Sequence, residues 1–371
     1  MKGIIASNTS WSIYNFRLSL IDHLESKGIE ISTITSDEEY SNKIPAKNFS
    51  FLPNSQSLNL FLIFSSLIRT YFFLKKANCD FLMTFTVRTS IEVAILNIFI
   101  RKPLFMTING LGILNKGENS SLGYLLRNIL RIIIPIAKVE KLFFQSNHDL
   151  EFFIENKIIS SSKNTRIVNG TGVDLNFFKP AMISSKKPMK FLHFSRLLKS
   201  KGVGLYLDLA KKFHNDRDLE FYLAGNFDEN DKDSFDPKLI EKYSTEGIIS
   251  YLGFINNIKD ELKEIDCVIF MSTYPEGIPK NLIEACSLGK IIVTSKQSGC
   301  RLTVDDRQNG FSIEPSLEKL EETVNALKNM SEKDLNIMKR KSVKLAHKKF
   351  DIELINKIYS TEISKLIDDS N

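Results

Sequence analysis

Two glutamates, Glu276 and Glu284, stand eight positions apart across a junction between a loop and a helix. Residues 267–272 form an unbroken apolar run of strand type, and residues 280–288 have a helical period that ends at Gly289. The first carboxylate is therefore expected in the loop and the second more than one turn inside the helix. Such a pair can contact two different parts of one ligand. The same spacing also occurs by chance on solvated helices, so the residues around the pair decide its interpretation.

The residues between the two glutamates predict a site for a diphosphate. Pro279 suits the first helical turn, where the N–H that proline lacks would have no partner. The next three amides are expected to be free at the positive end of the helix dipole, which can bind phosphate without a side chain. This predicted site comprises six consecutive residues: Gly277, Ile278, Pro279, Lys280, Asn281 and Leu282.

Two basic residues, Arg196 and Lys201, follow a predicted strand in the same half of the chain. Residues 190–194 form a short apolar run, and residues 203–213 have a helical period. Both cations therefore leave the carboxyl end of a strand, where open α/β sheets bind ligands. They could neutralise a diphosphate, the arginine as a fork and the lysine as a point charge. Alternatively, they are solvated loop charges.

The order of the elements predicts an α/β protein with two domains. A chain of 371 residues is longer than one hydrophobic core usually allows. Strands alternate with helices almost throughout, which is typical of parallel, doubly wound sheets. Residues 176–188 are polar and lack a period, so we place the linker there and expect domains at 1–178 and 189–371.

The first half is predicted to have strands at 3–6, 30–35, 80–84, 104–108, 141–145 and 165–168, and helices at 14–27, 58–77, 90–100, 121–138 and 147–156. The second half is predicted to have strands near 190–194, 219–224, 248–252, 267–272 and 290–295, and two late helices at 332–348 and 351–367.

The stretch with Arg196 and Lys201 and the stretch with the two glutamates both resemble motifs of the family 4 retaining glycosyltransferases, which have the GT-B fold. Residues 276–284 are similar to the Glu-x7-Glu signature of that family. Residues 194–202 are similar to its Gly-Arg-Leu-x3-Lys-Gly turn, with Ser195 in place of the usual glycine. The resemblance implies two Rossmann-like, doubly wound domains facing a cleft, with C-terminal helices crossing back to the first domain. It also implies that the first domain binds the acceptor and the second binds a nucleotide sugar.

The resemblance implies a role for each of four residues. Arg196 and Lys201 are expected to stabilise the leaving diphosphate during catalysis. Glu276 is expected to contact the transferred sugar, and Glu284 to bind ribose hydroxyls. Because no second carboxylate is evident opposite Glu276, the two-carboxylate chemistry of retaining hydrolases does not transfer to this chain. The resembling family instead uses front-face attack assisted by the donor phosphate.

Residues 10–17 resemble the opening loop of bacterial enzymes that add hexoses or N-acetylhexosamines to undecaprenyl-diphosphate sugars. The resemblance implies a UDP-sugar donor, a saccharide acceptor on a polyprenyl diphosphate, and a role in surface glycan assembly such as O-antigen or capsule. Many members of the family have a histidine near position 109, whereas this chain has Asn109 there. A hydrogen bond to the donor sugar at that position would therefore come from an amide or the backbone. The resemblance places five residues near the acceptor or the donor sugar: Ser10, Asn15, Arg17, Asn109 and Gly110.

No pattern in the sequence predicts a metal ion or a bound cofactor at this site. The cysteines at 79, 267, 286 and 300 lack metal-ligand spacing and are expected to be small core residues in a reducing cytoplasm. Residues 228–231 lack the glycine and the terminal glutamate of a calcium loop, so we expect a solvated loop there. Two cations and a helix N-terminus would then balance the charge of the diphosphate.

The net charge of +6 comes entirely from the first half of the chain. The first 180 residues have 20 Lys and Arg against 14 Asp and Glu, and the remainder has 30 of each. No recognition motif accompanies this excess, so nucleic acid is not expected as a partner. Residues 58–77 combine an apolar helical stripe with Arg69, Lys75 and Lys76, which predicts binding to the inner face of the membrane. Alternatively, this helix and the one near 123–138 only cover the sheet.

Neither of these two predicted helices, 58–77 and 123–138, is long and uncharged enough to predict a transmembrane span. The amino terminus lacks the apolar region of a signal peptide. We therefore expect a cytoplasmic protein that associates peripherally with the inner membrane. Three other functions are compatible with the motifs. They are a non-catalytic subunit that binds sugar nucleotides, a sugar-nucleotide epimerase of the same fold, and a glycosyltransferase with a soluble acceptor.

Overall fold

The chain folds into two α/β units in the computed structural model. The structure describes residues 1–37, 39–52, 59–115, 121–180, 188–228 and 231–368. One unit comprises Met1–Thr171 with Glu353–Asn371, and the other comprises Gly172–Ile352. The division after Thr171 falls earlier than the linker that composition suggests, and residues 181–187 of that linker lie outside the described residues. The chain returns to the first unit at Glu353, which agrees with the expectation that a C-terminal helix crosses back to the first domain.

Seven parallel strands form the sheet of the first unit. They are β1 (Lys2–Ala6), β2 (Glu30–Thr35), β3 (Lys47–Ser50), β4 (Phe81–Phe85), β5 (Leu104–Ile108), β6 (Val139–Phe144) and β7 (Thr165–Ile167). The strands pair in the order β3-β2-β1-β4-β5-β6-β7. Every residue of β4 and β5 is buried, as expected for central strands covered on both faces.

Helices cover both faces of this first sheet. They are α1 (Ser10–Phe16), α2 (Leu18–Ser26), α3 (Leu60–Lys76), α4 (Val87–Ile100), α5 (Ser121–Ile136), α6 (Asn147–Glu155) and, near the end of the sequence, α14 (Ile352–Asp368). Helices α3 to α6 contribute to the core on one face. Helices α1, α2 and α14 contribute to the core on the other. This arrangement is the doubly wound one expected from the alternation of elements.

The prediction of a single helix over 14–27 is wrong, because the structure has two helices there. Helix α1 begins earlier, since the hydroxyl of Thr9 accepts a hydrogen bond from the backbone N–H of Ser12 and caps its N-terminus. It ends at Arg17, whose φ of −129° interrupts the helical backbone before α2 begins. The apolar period continues across this break, so it gave no sign of it.

Six parallel strands form the sheet of the second unit. They are β8 (Met189–Phe194), β9 (Leu219–Ala224), β10 (Ser250–Tyr251), β11 (Cys267–Phe270), β12 (Ile291–Ser295) and β13 (Gly310–Ile313). The strands pair in the order β10-β9-β8-β11-β12-β13. The helices are α7 (Val203–Lys212), α8 (Pro237–Thr245), α9 (Ile258–Leu262), α10 (Lys280–Ser287), α11 (Ser298–Arg301), α12 (Leu317–Lys328) and α13 (Glu332–Lys349).

The two late helices belong to different units. Helix α13 packs within the second unit, where the ammonium of Lys339 lies 2.5 Å from a carboxylate oxygen of Asp266. Helix α14 completes the core of the first unit with Ile355, Tyr359 and Ile363. The expectation that both helices cross back is therefore right for α14 and wrong for α13.

Candidate active site

The candidate residues of the second unit lie where the strand order of its sheet reverses. Strands β8 and β11 are neighbours, although β9 and β10 lie between them in sequence. The chain leaves β8 toward Arg196 and Lys201, and it leaves β11 toward Glu276. Open α/β sheets bind ligands at such a reversal, beyond the carboxyl ends of the strands. The structure thus brings the two sequence motifs to one edge of one sheet.

The loops after β8 and β11 are held together by their backbones. The N–H of Thr273 donates to the carbonyl of Ser200 at 2.8 Å. Gly202 has a φ of +82°, and a Cβ atom at this position would lie 2.4 Å from the carbonyl oxygen of Met271. Only glycine fits this close approach, which explains the Lys-Gly pair in the motif.

Lys201 and Glu276 form an ion pair at this edge. The ammonium of Lys201 donates to Oε1 of Glu276, and the hydroxyl of Ser272 donates to the same oxygen at 2.9 Å. The two side chains are only 15% and 16% exposed. The ammonium also lies 5.9 Å from the ring centres of Phe270 and Tyr274. A nearly buried carboxylate and ammonium in contact can exchange partners when a charged ligand enters.

Arg196 lies at the surface of the same edge. Its side chain is 60% exposed, and its guanidinium lies 3.7 Å from Asp228 and 3.9 Å from Asp231. The acidic stretch that the sequence presents as a solvated loop therefore faces this cation, although its residues 229 and 230 lie outside the described residues. Exposed ion pairs of this length are weak, so the guanidinium can turn toward an anionic ligand at little cost.

The residue that replaces the usual glycine, Ser195, has a partner of its own. His193 is buried, and its Nδ1 lies 3.1 Å from the carbonyl oxygen of Ile269, so this nitrogen carries the proton. Its Nε2 lies 2.9 Å from the hydroxyl oxygen of Ser195, which also lies 2.7 Å from the carbonyl oxygen of Arg196. Burial lowers the pKa of His193 to about 4, so the ring is neutral near pH 7. His193 is thus a buried core residue whose two ring nitrogens both have partners.

The start of α10 differs from the prediction in two details. Pro279 is the residue before the helix and not part of its first turn. The N–H of Leu282 lies 3.2 Å from the carbonyl oxygen of Pro279 and 2.9 Å from Oδ1 of Asn281. The expectation of a free amide at Leu282 is therefore wrong.

Two residues near the start of α10 have structural roles that the sequence did not reveal. The side-chain amide of Asn281 donates to the carbonyl of Phe194 at 2.8 Å and so ties the helix to the end of β8. Ile278 is buried in the core of the unit. Loop and helix are thereby fixed relative to the sheet, which keeps the candidate diphosphate site in place without a ligand.

Glu284 lies inside α10 and is nearly buried. Its side chain is 13% exposed, and one of its oxygens lies 3.8 Å from the ammonium of Lys280, one turn earlier. Burial raises the pKa of Glu284 to about 7, and the charge of Lys280 opposes that increase. The carboxylate is therefore poised to titrate near neutral pH, which the sequence alone did not suggest.

A close backbone contact supports the loop that carries Glu276. A Cβ atom added to Gly299, in α11, would lie 1.9 Å from the carbonyl oxygen of Gly277 and 2.6 Å from that of Glu276. The backbone of α11 thus lies directly against this loop. Its neighbour Cys300 is buried, and burial raises the pKa of its thiol to about 12.

All four cysteines are free and buried, which confirms them as core residues. Within the described part of the chain, no group of three or more His, Cys, Asp or Glu side chains is arranged to hold a metal ion.

The candidate residues of the first unit follow the carboxyl ends of β1 and β5. Ser10 is buried, its hydroxyl donates to Asp37, and it accepts the N–H of Tyr40 at 2.9 Å. The side-chain amide of Asn15 donates to the carbonyl of Trp11 at 3.0 Å. These contacts give Ser10 and Asn15 structural roles at the start of α1, where Trp11 remains 46% exposed.

Arg17 and Asn109 offer polar groups inside the first unit. The guanidinium of Arg17 is buried and lies 3.8 Å from the ring centre of Phe85. Burial lowers the pKa of Arg17 to about 10, so it stays charged at neutral pH. The buried amide oxygen of Asn109 has no hydrogen-bond partner among the described residues. Gly110 follows with a φ of +104°, which turns the chain sharply after β5.

The two parallel, doubly wound sheets have the GT-B fold that solved glycosyltransferases share. Residues 176–343 match the family model described as "Glycosyl transferases group 1".

Over 331 residues the chain is 24% identical to the N,N'-diacetylbacillosaminyl-diphospho-undecaprenol alpha-1,3-N-acetylgalactosaminyltransferase of Campylobacter jejuni, covering 82% of this chain and 83% of that protein. A glycosyltransferase from Rickettsia africae superposes with a TM-score of 0.79 at 17% identity, covering 99% of this chain and 98% of that one. The Anabaena protein HepE, in complex with UDP and glucose, superposes with a TM-score of 0.75 at 19% identity, covering 97% and 99%.

Proposed function

We propose that this glycosyltransferase moves a hexose or an N-acetylhexosamine from a UDP-sugar to a saccharide on a polyprenyl diphosphate, with retention at the anomeric carbon. The observation that carries the proposal is the meeting of Lys201, Glu276 and the start of α10 at the strand reversal of the second unit. Cations there would balance the leaving diphosphate, and Glu284 would accept hydrogen bonds from ribose hydroxyls.

Binding of the donor would rearrange the ion pair at this site. A diphosphate competes with Glu276 for the ammonium of Lys201, and Arg196 adds a second cation from the surface. Glu276 then has an oxygen available to accept a hydrogen bond from the transferred sugar. The bond between the anomeric carbon and the diphosphate breaks, and the electron pair leaves with UDP. The acceptor hydroxyl attacks from the same face, and its proton passes to the departing phosphate oxygen.

Two relatives support the choice of substrates. The Campylobacter protein is named for an acceptor joined to undecaprenol through a diphosphate. The Anabaena protein has UDP and glucose bound.

The donor is tested first by thermal shift with a panel of nucleotide sugars. A ligand at a hundred times its dissociation constant stabilises by about 2.7 kcal/mol, so the donor should stand out from its analogues. The product formed with a lipid-linked acceptor is then examined by NMR. Retained anomeric configuration supports the mechanism, whereas inversion contradicts it. An isomerised sugar nucleotide without transfer would favour the epimerase.

We further propose that α3 brings the first unit to the membrane surface. Its inner side packs on the core through Leu74 and the partly buried Leu67 and Tyr71, so the helix does cover the sheet. Its outer side is also apolar, since Phe61 and Phe64 are 77% and 63% exposed. A helix that needed only to cover the sheet would present polar residues there. No helix among the described residues is long and apolar enough to cross a bilayer.

Charge complements the apolar side of α3. Lys75 and Lys76 end the helix, and Arg69 lies about two turns earlier. Basic residues near anionic lipid contribute about 1 kcal/mol each, and salt screens this attraction. We expect the protein to co-sediment with anionic vesicles more than with neutral ones, and high salt to release part of it.

The variant Arg69→Glu, Lys75→Glu, Lys76→Glu tests this surface. It should bind vesicles less and transfer less sugar to a lipid-linked acceptor. Transfer to a short, water-soluble acceptor should survive, because the donor residues lie in the other unit. Equal binding of the wild-type protein to neutral and anionic vesicles would contradict an electrostatic role, and α3 would then serve only the core.

A further inference from the structure

A basic cavity lies at the edge of the first sheet opposite to the candidate residues. It has a volume of about 590 Å³ and opens beside the amino ends of β6 and β7, below the end of α5. Four of its lining residues are cationic, namely Arg131, Lys138, Lys157 and Lys163, against one acid, Glu140. A concave surface with an excess of one charge concentrates its electric field, so this cavity favours an anion.

The cations of this cavity are not neutralised by the protein. Within the described residues, Lys138, Lys157 and Lys163 have no carboxylate within ion-pair distance. The guanidinium of Arg131 donates to the carbonyls of Asn156 and Lys157, at 2.7 and 3.1 Å. Arg131 therefore fixes one wall of the cavity while keeping its charge, and the three ammonium groups stay available to a ligand.

Serine hydroxyls add neutral hydrogen-bond donors to these charges. Ser160 and Ser161 lie in the loop before β7 and line the same cavity. Hydroxyls and ammonium groups together suit phosphate oxygens, which accept several hydrogen bonds at once.

Helix α5 also has an exposed apolar stripe. Leu122, Leu125, Ile132 and Ile136 are 49%, 54%, 63% and 49% exposed. Their intervals of three, seven and four positions place them on one side of the helix. The α5 residues that line the cavity, Arg131, Ile134 and Pro135, lie on another side of the helix. A surface with both exposed apolar residues and unpaired cations suits a lipid bilayer, in which acyl chains lie below charged phosphates.

We propose that this cavity binds the headgroup phosphate of an anionic phospholipid. The inference rests on the proposed membrane association and adds a defined lipid site to it. It also gives the first unit a second lipid contact, distinct in sequence from α3.

The direct test uses dihexanoyl phosphatidylglycerol below its micelle concentration, added to protein labelled with ¹⁵N-serine. Saturable shifts of the Ser160 and Ser161 amide signals are expected, and dihexanoyl phosphatidylcholine should cause none. Equal shifts with both lipids, or none with either, would overturn the lipid site. Inorganic phosphate binding there as tightly as the lipid would also overturn it, in favour of a free-anion site. None of these results depends on vesicle binding, so they separate this site from the α3 proposal.

A charge-matched pair of variants extends the test to vesicles. Lys138→Gln with Lys163→Gln should lower partition onto phosphatidylglycerol vesicles by about thirtyfold, because each basic residue contributes roughly fivefold. Lys341→Gln with Lys344→Gln removes the same charge from exposed positions of the second unit and serves as the control. A loss confined to the first pair supports the cavity, and an equal loss in both pairs refutes it.

Discussion

Glu284 should make donor binding depend on pH near neutrality. The perturbation is a change of pH, with Glu284→Gln as the reference that cannot titrate. Burial raises the pKa of Glu284 from 4.5 to about 7. A carboxylate accepts hydrogen bonds from both ribose hydroxyls, whereas the protonated acid cannot do so fully. Donor affinity should therefore be high above the pKa and fall below it.

The magnitude follows from the titration. At about pH 8 most of the Glu284 population is ionised, and at about pH 6 only about a tenth is, so affinity should fall about tenfold between them. The Gln variant should bind more weakly than wild type at about pH 8, by roughly 1.5–3 kcal/mol for a lost charged acceptor. Its affinity should change little with pH, because the titrating group is gone.

Isothermal calorimetry with a UDP-sugar measures both effects. A UDP-sugar is preferable to UDP because it has no terminal phosphate that titrates in this range. Near pH 7 the wild-type protein should release about half a proton on binding, detected by repeating the titration in buffers of different ionisation enthalpy. Parallel pH profiles for wild type and Gln variant would refute the assignment of Glu284 to the ribose.

The same pKa makes a prediction about stability. A raised folded-state pKa means that the folded protein binds this proton more tightly than the unfolded chain. The associated stability is fully present below about pH 4.5 and is lost as pH rises through about 7. Glu284→Gln should thus raise the melting temperature at about pH 8 relative to wild type, and the difference should vanish at low pH.

Four further outcomes are expected. Lys201→Ala should weaken binding of UDP and of the UDP-sugar alike while leaving uridine binding nearly unchanged, and Glu276→Gln should mainly lower the rate at saturating donor. Because Arg196, Lys201 and the start of α10 supply positive charge, transfer should continue in chelator; full loss that Mn²⁺ or Mg²⁺ restores would contradict this. Gly299→Ala should destabilise by about 1–3 kcal/mol and slow transfer, because its Cβ meets the Gly277 carbonyl; Gly204→Ala, with ordinary 3.5 Å contact to Phe235, is the control.

The sequence predicted the central elements of both sheets well. Buried strands such as β5 and β11 are continuous apolar runs, and their bounds agree with the structure to within two residues. The edge strands β3 and β13 were missed because they are short and only partly buried, and no strong apolar run marks them. Their strand character depends on pairing with β2 and β12, which is a contact distant in sequence.

The candidate site was predicted as residue types, whereas its contacts were not. The motifs gave Lys201 and Glu276, but their pairing depends on two loops that meet at one sheet edge. The pKa of Glu284 depends on burial, which a helical period alone does not give. The role of Asn281 as a tie to β8 is likewise visible only in three dimensions. Asn281 lies in the stretch that was predicted to bind phosphate. No further feature of the sequence indicated that its side-chain amide contacts β8.

The return of α14 to the first unit makes that unit discontinuous in the chain. Its strands β1 to β7 lie before the second unit in sequence, yet Ile355, Tyr359 and Ile363 of its core come after. The ring centre of Tyr359 lies 4.6 Å from that of Phe143 and 5.9 Å from that of Phe85.

The ribosome therefore makes the first unit in two separate parts, one before and one after the second unit. Domains generally fold in order as the ribosome makes them. Here the first sheet emerges early, but the part of one apolar face that α14 covers stays exposed until about 180 later residues have followed. Burying large side chains such as Tyr359 and Ile363 contributes about 1.5–3 kcal/mol each, so the nascent unit lacks part of its stability throughout that interval. If synthesis stopped before residue 353, the second unit would be complete and able to fold. The amino-terminal unit would lack α14 and would be accessible to chaperones and proteases.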